Sequence, residues 1–93
     1  MLVSVCAPMG AQTLTKRYVE LADSADYYMK REQWRDAERV IVTALRHEPA
    51  NPSNWLLWSN LGVVRTHSDD YKGAMEAYDV GLASAPKSTV LLS

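Results

Sequence analysis

The side chains in this sequence that could do chemistry are two histidines, one cysteine and a pair of adjacent aspartates. His47 and His67 each stand at the end of a helical pattern, where a cation suits the unpaired carbonyls, and no carboxylate or cysteine nearby has metal-ligand spacing. Asp69 and Asp70 lie between two helical patterns, which is typical of a helix start rather than an acid pair. Cys6 has no histidine partner by spacing. We therefore expect no catalytic residue, metal site or cofactor.

Basic residues line one face of the second predicted helix. Acidic residues are interspersed among them, which favours a solvated helix surface. A surface for an acidic partner is the alternative. The basic residues are Arg35, Arg39 and Arg46, and the acidic ones are Glu32, Asp36 and Glu38.

Composition limits the class of protein. The chain has 93 residues, enough for one small domain, and its net charge of −1 gives no electrostatic argument for nucleic acid. No apolar run approaches the roughly 18 residues that a membrane span needs. With one cysteine, no intrachain disulfide can form. We expect no nucleic-acid partner, no small-molecule substrate and no transmembrane segment.

The first twelve residues form an apolar, charge-free tail that differs from the rest of the chain. Its small residues before Gln12 resemble the end of a secretory signal peptide, with cleavage near Ala11. A lipid-anchored Cys6 and a disordered tail are the alternatives. A signal remnant would imply export to the periplasm or envelope, and otherwise the protein would be cytoplasmic.

Beyond the tail, apolar residues recur at intervals of three and four, which predicts an all-α domain over residues 13–93. The predicted helices span about 13–31, 33–47, 52–67 and 70–85. The residues of the fourth helix expected to face inward are Tyr71, Ala74, Met75, Tyr78, Leu82 and Ala85. Short turns join the helices, so we expect stacked antiparallel pairs.

Turn residues mark the predicted helix ends. Pro49 cannot continue the second helix, and Asn51 before Pro52 is typical of an N-cap followed by proline at the first helical position. Asp70 offers a capping side chain to the fourth helix, which Pro86 ends.

The two halves of the domain repeat each other with an offset of 37 residues. Four landmarks in each half are separated by twelve, four and eight residues, which is self-similarity on the scale of a repeat protein. They are Ala25, Ala37, Ile41 and Pro49 in the first half, and Gly62, Ala74, Tyr78 and Pro86 in the second. The small residues would let paired helices approach closely, and large ones such as Trp58 and Tyr78 would fill the space around the contact. Trp55 stands near the helix start beside "NPSN", so it is the less constrained of the two neighbouring tryptophans and the one expected to be available to a partner if either is.

The second half resembles the tetratricopeptide repeat, whose pattern is W-x2-L-G-x2-Y, then A-x3-F, then P. It reads Trp58-x2-Leu61-Gly62-x2-Arg65, then Ala74-x3-Tyr78, then Pro86, and only Arg65 departs sharply. The first half matches more weakly, as Leu21-x2-Ser24-Ala25-x2-Tyr28, then Ala37-x3-Ile41, then Pro49. The resemblance implies a short solenoid with repeats at about 18–51 and 55–88. "STVLLS", from Ser88, looks like the opening of a third repeat.

The resemblance also implies a protein-interaction scaffold with a concave groove lined by the first helix of each repeat. The positions carried over are Val19, Ala22, Asp26, Met29 and Lys30, then Leu56, Ser59, Val63, Thr66 and His67. Asp26 and Val63 stand where grooves of this family that hold a C-terminal carboxylate use asparagine, which counts against that activity. We expect a protein or peptide partner. The alternatives are a structural or assembly module of a larger repeat protein or complex, and self-association.

Overall fold

The computed structural model describes the backbone of residues 2–86 and the side chains of residues 16–86. Its four helices are α1 (Leu2–Lys30), α2 (Trp34–His47), α3 (Asn54–His67) and α4 (Tyr71–Ser84), and the described residues contain no strand. Each helix packs against the next one along the chain, and a short turn connects the two. The predicted all-α architecture of helix pairs is therefore confirmed. Ser88, where a third repeat was predicted to open, lies outside the described residues.

Helix α1 begins at Leu2, eleven residues before the start predicted from the sequence. The prediction depended on the periodic apolar residues, which report packing against a neighbour and not the extent of the helical backbone. The backbone of the apolar tail is therefore helical from Leu2 onward. Its interpretation as a signal-peptide remnant stays a prediction. No helix among the described residues combines the length and apolar character needed to cross a membrane.

The predicted caps differ in their outcome. Asp70 is the N-cap of α4, and its Oδ1 accepts a 3.0 Å hydrogen bond from the backbone N–H of Gly73, as predicted. Helix α3 begins at Asn54 rather than at Pro52. The N-cap is Ser53 and not Asn51, and the Asn51 Oδ1 accepts a 2.8 Å hydrogen bond from the Ser53 N–H. That bond closes a turn before the helix, so the predicted start was two residues early.

A continuous core of buried apolar residues joins the four helices. Small residues occupy the α1–α2 contact, where Ala25 and Ala37 are completely buried. Their counterparts Gly62 and Ala74 are buried between α3 and α4, as the repeat spacing predicts. The other core residues are Tyr18 and Leu21 of α1, Val40, Ile41 and Ala44 of α2, Leu57, Leu61 and Val64 of α3, and Ala77 of α4.

The close contact between α3 and α4 depends on glycine. A Cβ atom built on Gly62 would lie 2.6 Å from Cδ1 of Tyr78, and one on Gly81 would lie 3.3 Å from Cβ of Trp58. Both glycines are buried inside helices, where glycine costs about 1 kcal/mol relative to alanine. The cost is offset by the packing that the close approach permits.

The inward face predicted for α4 is largely wrong. The buried residues of α4 are Ala74, Ala77 and Gly81, whereas four large residues of the predicted face are exposed and Ala85 is half-buried. The exposed ones are Tyr71, Met75, Tyr78 and Leu82. Helix α4 contacts α3 through its small residues and one side of the Tyr78 ring, and no described helix packs against its other side. Periodicity identified an apolar face without showing what covers it.

Candidate functional site

The ten positions expected to line a groove lie on α1 and α3, and none of them is buried. Six are exposed, namely Val19, Asp26 and Lys30 of α1 and Leu56, Thr66 and His67 of α3. Four are half-buried, namely Ala22, Met29, Ser59 and Val63. Each position on α1 has a counterpart 37 residues later on α3. The two helices therefore present the same face of each repeat.

The strongest apolar contacts available on this face are at Val19 and Leu56. These residues are equivalent in the two repeats and are 49% and 50% exposed. Met29 packs partly against the core, so less of its surface is open. A binding partner could remove Val19 and Leu56 from water, which is favourable in proportion to the apolar area buried.

The charged positions of this face neutralise each other. The Lys30 ammonium lies 2.9 Å from Oδ2 of Asp26, one helical turn away. The hydrogen bond to Asp26 raises the pKa of Lys30. Since both side chains are well exposed, the pair contributes little to stability. It leaves the face without net charge at this point.

Two polar positions on α3 are already engaged. The Thr66 hydroxyl donates a 2.8 Å hydrogen bond to the Gly62 carbonyl. The His67 ring stacks on the Trp34 ring of α2, with centroids 4.1 Å apart and planes 7° from parallel. The stack joins the last residue of α3 to the first of α2. His67 thus has one ring face covered, although it remains a predicted groove residue.

Both histidines end a helix, as their positions in the sequence suggested. His47 is the last residue of α2, and His67 is the last residue of α3. Among the described residues no group of three histidine, cysteine, aspartate or glutamate side chains is placed to hold a metal ion. The side chain of Cys6 is outside the described part of the chain.

A buried polar contact missed by the sequence analysis joins α1 to the start of α3. The Tyr18 hydroxyl donates a 2.8 Å hydrogen bond to Oδ1 of Asn54. The Asn54 amide in turn donates to the Glu48 carbonyl at 2.8 Å. Burial, reinforced by the Glu48 carboxylate, raises the pKa of Tyr18. The signal available in the sequence was an asparagine directly before the apolar run of α3.

Arg65 occupies the one position where the repeat pattern departs sharply. Its Nη1 donates a 3.2 Å hydrogen bond to the Gly73 carbonyl of α4. Its Nε lies 3.7 Å from Oε1 of Glu38 on α2. One side chain thus connects α3 to the helices on both sides of it. An aromatic residue here would fill space but could neither donate to the Gly73 carbonyl as the guanidinium does nor pair with the Glu38 carboxylate.

The arginines of α2 border a shallow depression of about 540 Å³. Arg39 lies 3.4 Å from Asp36, and within residues 16–86 neither Arg35 nor Arg46 has an ion-pair partner. An acidic partner, the alternative stated for these arginines, would therefore meet a concave surface with uncompensated positive charge. Its lining residues are Arg35, Glu38, Arg39, Val42, Thr43, Arg46 and Ser68.

Comparison with known proteins identifies one family. A family model described as Tetratricopeptide repeat matches residues 23–89, which is more than half of the chain and includes most of both predicted repeats. Neither the search of curated proteins nor the search of solved structures found a match.

Proposed function

Because this chain belongs to the tetratricopeptide repeat family, we propose that it is a non-catalytic scaffold that binds a peptide or protein segment on the exposed face of α1 and α3. Members of this family generally serve as protein–protein interaction modules. The narrower proposal concerns where on this chain the segment binds and which residues contact it.

The observation that carries the proposal is the equivalence of Val19 and Leu56. They lie 37 residues apart, at the same position in the two repeats, and each leaves half of an apolar side chain in water. Two matched apolar contacts on consecutive repeats suit one continuous segment that crosses both helices. The Asp26–Lys30 pair, at the C-terminal end of α1, adds polar contacts without net charge.

The mechanism is preorganisation. The core holds the helices together, and Tyr18 and Asn54 fix α1 to the start of α3 before any partner arrives. The scaffold therefore loses little conformational entropy on binding, and the cost of ordering falls on the segment that docks. Affinity would come from apolar area buried at Val19 and Leu56.

A peptide library displayed on phage and selected on the immobilised full chain provides the probe. Selected peptides are then titrated against the wild type, Val19→Glu and Leu56→Glu by fluorescence anisotropy. We expect a loss of about tenfold or more in affinity for each variant, since a buried carboxylate opposes apolar contact. Val80→Glu is the matched control, because Val80 is an exposed valine on α4. Peptides that bind all three variants like the wild type would contradict the proposal.

A second candidate surface is the arginine-lined depression on α2. Its charge suits an acidic segment, and binding there would depend strongly on salt. The same titration separates the two surfaces. Peptides rich in aspartate and glutamate that lose affinity with Arg39→Glu, but not with Leu56→Glu, would place the site on α2.

A further inference from the structure

Helix α4 carries four large apolar residues in one exposed row, which we call the α4 stripe. Tyr71, Met75 and Leu82 are 61%, 67% and 64% exposed, and Tyr78, whose ring also contacts Gly62 of α3, is 36% exposed. Steps of four, three and four residues keep them on one side of the helix. Such a row of large apolar side chains is a surface that associates with another apolar surface.

The spacing of the α4 stripe is the same read from either end. An antiparallel second copy of α4 would therefore place Tyr71 opposite Leu82 and Met75 opposite Tyr78, and the reverse contacts would follow by symmetry. This is the a/d arrangement of two packed helices. A self-complementary patch of this kind is what a two-fold interface requires.

The charges beside the stripe obey the same symmetry. Lys72 and Asp79 directly follow Tyr71 and Tyr78, and they lie two helical turns apart on one flank. Antiparallel pairing brings this flank against itself, so each Lys72 would face the Asp79 of the other copy. Both residues are exposed, and within residues 16–86 neither takes part in an ion pair. The other flank, with Ala74 and Gly81, is occupied by α3.

From this charge and apolar complementarity we propose that the α4 stripe is the docking surface for a second copy of the chain, with the two α4 helices antiparallel. The proposal goes beyond the binding face on α1 and α3 and does not depend on it. A two-fold interface uses Lys72 and Asp79 twice, and the α4 stripe buries its apolar side chains against equivalent ones. The two surfaces would be available at the same time, because they share no residue.

Sedimentation velocity of the full chain over a range of concentrations tests the association. We expect a monomer–dimer equilibrium that Met75→Glu and Leu82→Glu each weaken by about tenfold or more. Val80→Glu, at an exposed position outside the stripe, should leave the equilibrium unchanged. A monomer at every concentration overturns the proposal, and so does a dimer that both stripe variants retain. A monomer would also be observed if another segment of the same chain covered the α4 stripe, and the proposal fails in that case too.

Charge exchange tests the antiparallel register. Lys72→Glu alone and Asp79→Lys alone should each weaken the dimer several-fold, because like charges would meet twice. Combining Lys72→Glu with Asp79→Lys should restore wild-type association. Circular dichroism melting of each monomer controls for changes in folding. If the double exchange is weaker than either single variant, the two helices do not pair in this register and the proposal fails.

Discussion

The ring of Tyr78 on α4 lies against Gly62 on α3, with no room between them for a methyl group. Gly62 is the glycine of the repeat pattern, and Tyr78 is the aromatic residue found sixteen positions later. The pair explains why a helix carries a glycine in its middle, because the backbone itself forms the surface on which the ring packs.

Enlarging the small residues of this contact should destabilise the protein. We expect Gly62→Leu and Ala74→Leu each to cost on the order of 1–3 kcal/mol or more, since the α3–α4 contact would be overpacked. Thermal and urea unfolding measure the change. Gly62→Ala in a Tyr78→Ala background is the informative control, because without the ring the methyl group should be tolerated and the helix should gain up to about 1 kcal/mol. Unchanged melting of both leucine variants would refute the packing assignment.

The buried Tyr18 hydroxyl should make the free energy of unfolding vary with pH in the alkaline range. Because folding raises its pKa, the contribution of Tyr18 is complete below the unfolded value of about 10 and is lost as pH rises through the folded value. We expect Tyr18→Phe to lower stability by about 1 kcal/mol at pH 7, since Asn54 loses a donor. The difference between variant and wild type should shrink above pH 10. Urea unfolding at pH 7 to 11 checks this, and a constant difference would be the contrary result.

Glu32 should be replaceable by glycine with a gain in stability. It follows α1 with φ of 58°, in the left-handed region that favours glycine. Its side chain is exposed, so little packing is lost. We expect Glu32→Gly to stabilise the protein by about 0.5–1 kcal/mol in chemical unfolding, with Glu32→Ala as the control that keeps the strained Cβ. A destabilised glycine variant would show that the turn is not strained.

Exchanging Asp26 and Lys30 tests the charged part of the proposed binding face. The double variant Asp26→Lys with Lys30→Asp keeps opposite charges one turn apart, so thermal stability should stay near that of the wild type. Affinity for the selected peptides should fall several-fold. A peptide that contacts Val19 would then meet a positive charge where it met a negative one, and the reverse. Anisotropy titration measures the change. Full retention of affinity would place the peptide away from this part of α1.

Much of the fold could be predicted because close helix packing requires small residues at regular positions in the sequence. The spacing of small residues located Gly62 and Ala74, and the chemistry of capping located Asp70. The outward direction of the α4 stripe could not be predicted, since periodicity reports an apolar face and not its neighbour. Asn54 was missed because one buried hydrogen bond between distant residues has no periodic signal. The groove positions of the candidate site remain predictions that the binding experiments test.

The hydrogen bond between Tyr18 and Asn54 has a consequence for longer arrays of such units. It ties the first helix of one repeat to the first helix of the next, and so limits the rotation between them. In a solenoid these small rotations add up to the curvature of the whole structure. A directional polar bond tolerates less variation in that angle than apolar packing does. Replacing Asn54 would therefore change the curvature of such an array, without altering the residues that line its concave side.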